Sequence, residues 1–139
     1  MKRTMLIALI SLLGWNIFSA FADEAGEKAA TAAAPVWLSQ IDAGSYSNSW
    51  RDASVYFKGA VSEKGWQDAL AGARKPLGKL ISRKLSKAQS ATSLPGAPDG
   101  NYVVMQFDSS FANKQTAVET VTFMQEKDGK WKAAGYYIK

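Results

Sequence analysis

From residue 34 onward the apolar positions keep two different rhythms. Ala34, Trp37, Leu38 and Ile41 follow the 3, 4, 7 spacing of one helix face. Pro35 suits the first turn of that helix, where a missing N–H costs nothing, and Gly44 marks its end. Tyr46, Trp50, Ala53, Phe57 and Ala60 or Val61 form a second stripe, with Ser45, Ser47 and Ser49 as candidate N-caps. A third, shorter helix starts near Ser62, carries Trp66, Ala69, Leu70 and Ala73, and stops before Pro76, with Gly78 marking the break.

From Lys79 the period changes to two. Ile81, Arg83, Leu85 and Lys87 alternate with Ser82, Lys84, Ser86 and Ala88, and neither set is purely apolar, which is the pattern of an edge strand guarded by lysines. Leu94 to Asn101, with Pro95 and Pro98, is a loop by composition. Three stronger strands follow, Tyr102 to Phe107, Ala117 to Gln125 and Trp131 to Ile138, with Ser109 to Gln115 linking the first two. Asp128-Gly129 signals a hairpin, and a central two-residue turn there predicts Glu126 opposite Trp131 and Phe123 opposite Ala134. Two inner sets remain open for the last strand, Trp131/Ala133/Tyr137 and Ala134/Tyr136/Ile138.

Helices followed by an antiparallel meander predict the α+β class, with the helices on one face of a roughly four-stranded sheet. Residues 23–34 are small and polar, so a flexible lead-in is expected before a single domain over 35–139. Residues 1–22 have the order of a secretory signal peptide. Lys2 and Arg3 precede the apolar run Met5 to Leu13, and Ala20-Phe21-Ala22 fits cleavage after Ala22. The apolar run is short for a membrane span, and no Cys follows it to carry a lipid. A soluble periplasmic or secreted protein, with no transmembrane segment after processing, is the expected product.

The chain of 139 residues contains neither His nor Cys. That excludes thiolate nucleophiles, Ser-His-Asp triads, disulfides and thiolate or imidazole zinc sites. No cofactor or metal is implied. Loss of Lys2 and Arg3 on cleavage lowers the formal charge from +5 to +3.

The second half carries Arg74-Lys75-Pro76-Leu77-Gly78 followed by Ser82-Arg83, then Leu94-Pro95-Gly96-Ala97-Pro98-Asp99-Gly100-Asn101-Tyr102. Glu119-Thr120-Val121 and Asp128-Gly129-Lys130-Trp131 with Ala134-Gly135-Tyr136 complete the set, after Trp37-Leu38, Asp42, Trp50 and Trp66. In this order and spacing they resemble the exported bacterial family labelled domain of unknown function 4019, over residues 35–139. The resemblance implies export and a compact domain, and no reaction. The element order also looks like the cystatin-like group, including the nuclear-transport-factor-2-like folds, whose curved sheet can leave a cone-shaped pocket; such folds serve many functions.

Arg74, Lys75, Lys79, Arg83, Lys84 and Lys87 lie in a stretch free of acids between Asp68 and Asp99. Arg74, Lys79, Arg83, Lys84 and Lys87 are therefore candidate binding residues for an anionic small molecule, an envelope component or another protein. The bland reading is a solvated strand face. Aromatic residues do not interleave with these charges, so nucleic acid is not expected. Trp37, Trp50, Trp66 and Trp131 fit a core better than a ligand cage. Acid–base chemistry would have to use a carboxylate, from Asp42, Asp52, Asp108 or Glu119, beside a Tyr donor. Glu119, Tyr102, Tyr136 and Trp131 form the candidate pocket set; the alternative for Glu119 is a structural ion pair with Arg74 or Arg83. The expected function is a non-catalytic ligand- or protein-binding module, a homodimer among its possible forms. The alternative is a small hydrolase or isomerase.

Overall fold

The computed structural model describes residues 23–139; the charged start, the apolar run and the cleavage after Ala22 lie outside the described residues. Helix α1 covers 23–42. It is followed by α2 (Tyr46–Arg51), α3 (Val55–Ala60), α4 (Glu63–Ala73) and a 3-10 turn at Lys75–Leu77. Four strands complete the chain: β1 (Leu80–Ala91), β2 (Tyr102–Phe111), β3 (Lys114–Gln125) and β4 (Trp131–Ile138). They pair antiparallel in the order β1-β2-β3-β4, a meander, and the protein is of the α+β class.

Residues 23–34 are helical rather than a loose lead-in. Their lack of bulk is what lets them dock. Ala30 and Ala34 are fully buried on the same stripe as Trp37, Leu38 and Ile41. A Cβ at Gly26 would stand 2.9 Å from Cζ2 of Trp131, so only glycine allows that approach.

The second predicted stripe is two short helices, because the chain turns at Asp52–Ser54. Ser54 is the N-cap of α3; its Oγ accepts from Phe57 N–H at 3.1 Å, and its own N–H donates to Ala133 O at 2.8 Å. Ser45 sits at the N-cap of α2 without a side-chain bond. Ser49 is buried, donating to Tyr46 O at 2.7 Å and accepting from Trp66 Nε1 at 2.9 Å. Ser62 caps α4 by accepting from Gly65 N–H at 3.0 Å.

β2 and β3 run longer than predicted, meeting at a tight turn over Ala112-Asn113, with Phe111 opposite Lys114. The last hairpin is one residue out of the predicted register: Gln125 lies opposite Trp131 and Phe123 opposite Ala133. A two-residue type I′ turn needs positive φ at both central positions. Only Gly129 has it, at +88°, so the loop widens to 127–129; Glu126 N–H donates to Lys130 O at 2.7 Å and Gly129 N–H to Glu126 O at 2.9 Å.

Bulges settle which residues face inward. β1 has an extra residue at Ile81 and another at Ser86, so Arg83 and Leu85 stand opposite Ser109 and Phe107, whereas Ala88 and Ser90 stand opposite Met105 and Val103. β4 has its extra residue at Ala134. Trp131 and Ala133 lie on the helix side before it, and Tyr136 and Ile138 after it, so the inner face draws on both predicted sets.

The core lies between the two layers, with Trp37, Leu38, Ile41, Phe57, Trp66 and Leu70 meeting Val103, Met105, Phe107, Val121, Phe123 and Ala133. Trp37 stacks on Trp66 at 6.0 Å between ring centroids, and Phe57 meets Trp66 edge-on at 5.1 Å. The indole of Trp37 donates to Ser49 O at 2.8 Å and that of Trp50 to Val61 O at 2.7 Å. Among the described residues, no helix is long and apolar enough to cross a membrane.

Candidate functional site

Two places on the molecule concentrate chemistry. The first is a buried ionic junction where α1 ends. Asp42 closes that helix, at the end where unpaired carbonyls make a carboxylate unwelcome. Two arginines reverse the balance. Arg83, carried inward by β1, donates from Nη1 to Asp42 Oδ2 at 2.8 Å and from Nη2 to Oδ1 at 3.0 Å. Arg74, held at the end of α4, donates from Nη2 to Asp42 Oδ1 at 3.2 Å and from Nη1 to Gly78 O at 2.6 Å. Its guanidinium lies 4.3 Å from the ring centre of Phe111, a cation–π contact, and its Nε has no hydrogen-bond acceptor.

The other edge of Arg83 meets Glu119 on β3, with Nε to Oε1 at 2.7 Å and Nη2 to Oε2 at 3.2 Å. Ser109 Oγ donates to Oε1 at 2.6 Å, and Tyr136 OH donates to Oε2 at 2.5 Å. Glu119 is 0% exposed and accepts four hydrogen bonds, which fills the roughly four lone-pair sites of a carboxylate. Burial by itself would lower the Arg83 pKa, but the hydrogen bonds to Asp42 and then Glu119, with the charges of both, raise it. The Tyr136 phenol is also raised, first by burial and then by the charge and hydrogen bond of Glu119. Two cations and two anions are thus paired, Arg74 Nε alone being left without an acceptor, and no oxygen of Glu119 is free to take a proton from a substrate.

The predicted pocket set divides. Glu119 and Tyr136 meet in this junction. Tyr102 and Trp131 instead line a hollow of about 280 Å³ beside Gly26 and Ser90, at the other end of the sheet. The Tyr102 hydroxyl donates to Pro98 O at 2.5 Å. The predicted basic set divides too. Arg74 and Arg83 are held in ion pairs within the chain, whereas Lys84 and Lys87 are exposed on the edge strand β1 and Lys79 just before it.

The second place is an open groove of about 550 Å³ between α1 and the β3–β4 hairpin. Ala29, Ala33, Val36 and Trp37 form one wall, and Phe123 and Trp131 form the floor. Gly129, Lys130 and Lys132 form the hairpin rim, and Gln40 with Asp52 stands at the end. Gln40 Nε2 donates to Asp52 Oδ2 at 2.7 Å. As candidates for chemistry the sequence singles out Trp37, Trp131 and Asp52 among these residues, none of them for this groove. The missing signal is the backward continuation of the α1 pattern, since Ala29, Ala33, Val36 and Gln40 recur at 3 and 4 beside the buried stripe. Among the described residues, no group of three or more acids stands close enough to hold a metal ion.

The chain belongs to the family described as protein of unknown function (DUF4019), whose model matches residues 33–136. No curated protein and no solved structure matches it.

Proposed function

We propose that this DUF4019 member is an exported, non-catalytic binding module that presents the groove beside α1. The observation that carries the reading is the contrast in availability. The carboxylate and phenol that acid–base chemistry would need are closed on each other and on Arg83, while the apolar groove stands open with lysines on its rim. Export rests on the order of charged, apolar and small residues in 1–22. The exposed lysines of β1 are a second surface for an anionic or protein partner.

The small-enzyme reading has one observation in its favour, the hydrogen bond from Tyr136 to Glu119. Its weight is small because Glu119 is fully buried and every acceptor position on it is filled.

The test is native mass spectrometry of the protein taken gently from the exported fraction of its own cells. The expected result is a chain beginning at Asp23 with a retained ligand or partner mass. A chain still carrying residues 1–22 overturns export, and a bare monomer overturns the binding reading.

A further inference from the structure

Resting on that reading, we propose that the groove between α1 and the β3–β4 hairpin binds a single-chain anionic amphiphile, a long-chain carboxylate, with its hydrocarbon along Ala33, Val36, Trp37 and Phe123 and its head group at Lys130 and Lys132. Three observations carry this assignment. The hollow is about 550 Å³, within the roughly 300–1,000 Å³ of small-molecule sites. Its walls are methyl groups and aromatic rings, and Val36 stands 67% exposed at its lip, an apolar surface without a cover.

Charge completes the argument. Lys130 and Lys132 line the rim, and among the described residues neither is paired with an acid. The one acid on the wall, Asp52, keeps its charge, with Oδ2 accepting from Gln40 Nε2 at 2.7 Å. Glu126 and Asp128 lie on the same hairpin, accepting from Val55 N–H at 2.8 Å and from Lys130 N–H at 2.9 Å. An anion at the rim thus meets two lysines that form no ion pair, and a cation meets the same two as repulsion. A peptide fits less well, because its amides would need partners that an alanine, valine and tryptophan wall does not provide.

The experiment titrates the 15N-labelled protein with dodecanoate below its micelle concentration, beside dodecyltrimethylammonium, which has the same chain and the opposite charge. The expected result is saturable shifts at the amides of Ala33 and Lys132 and at the indoles of Trp37 and Trp131, for dodecanoate alone. Lys130→Gln with Lys132→Gln should weaken binding about three- to tenfold, the worth of two exposed ion pairs. Ala33→Leu, which fills the wall, should abolish it; unchanged spectra of the core in either variant show that the fold persists. No saturable response, equal responses to both amphiphiles, or unchanged affinity in both variants overturns the assignment. A peptide or polar mass retained from the exported fraction, together with silence toward dodecanoate, removes this ligand class and leaves the binding reading standing.

Discussion

The junction at the end of α1 and the groove along its flank are built from similar materials, charged side chains set between a helix and a sheet. They reach opposite states. At the junction each charge has met its complement inside the chain: Arg83 spans Asp42 and Glu119, and Ser109 and Tyr136 take up what remains of Glu119. At the groove Lys130 and Lys132 have no such complement, and the wall beside them has no polar cover. Burial explains the difference. A charge taken out of water must be paired and hydrogen-bonded, whereas one at a rim stays solvated and available. A buried carboxylate is therefore not by itself evidence of catalysis; the count of its acceptor sites decides.

The strongest way to break the comparison is to orphan the buried arginine. Glu119→Ala should cost about 3–5 kcal/mol, since Arg83 is left with half its complement in a dry site; urea unfolding measures it, and a loss below about 1 kcal/mol would mean that the junction is hydrated. Tyr136→Phe removes one hydrogen bond to a charged group and should cost about 1.5–3 kcal/mol by the same assay.

That variant also tests the pH dependence. The Tyr136 pKa is raised in the folded protein above its ordinary 10.0. Folding favours the neutral phenol, so its contribution is complete below that value and is lost as pH rises through it toward the folded one. Stability of the parent should fall above about pH 10, and less steeply in Tyr136→Phe. A residual slope is expected from Tyr102, whose pKa is also raised, by burial first. Identical alkaline limbs would remove Tyr136 from that account.

Away from the junction, first at the hollow beside Tyr102 and then at the groove, the effects on stability are smaller. Gly26→Ala should cost about 1–3 kcal/mol through the clash with Trp131, with a shift in that indole's resonance; an unchanged Tm would mean that the ring moves aside freely. Lys130→Gln with Lys132→Gln should change stability by less than about 0.5 kcal/mol. A larger loss would place these lysines in the structure rather than at a binding rim.

The sequence exposed these features unevenly. The helix stripe from Ala34 to Ile41, the stop at Pro76 and Gly78, and the span of β4 were legible because each rests on local periodicity or turn chemistry. The Glu119–Arg83 pair was legible only as one of several partnerships, because which charges meet across a sheet depends on register. Register was decided by what periodicity cannot carry. Extra residues at Ile81, Ser86 and Ala134 each reverse the pleat, and the φ of Gly129 alone widened the hairpin by a residue. The helical state of residues 23–34 was not legible for a different reason: bulk is the usual mark of docking, and here smallness is.

The bulge at Ala134 bears on how such a chain can change length. Remove that one residue and the pleat of β4 becomes regular. Either Tyr136 then swings to the solvent side and Glu119 loses its neighbour, or Trp131 and Ala133 do and Gly26 loses the indole beside it. The loop from Thr92 to Asn101 lies under no such constraint of phase. Insertions and deletions among relatives should therefore accumulate there, and β4 should keep its eight residues.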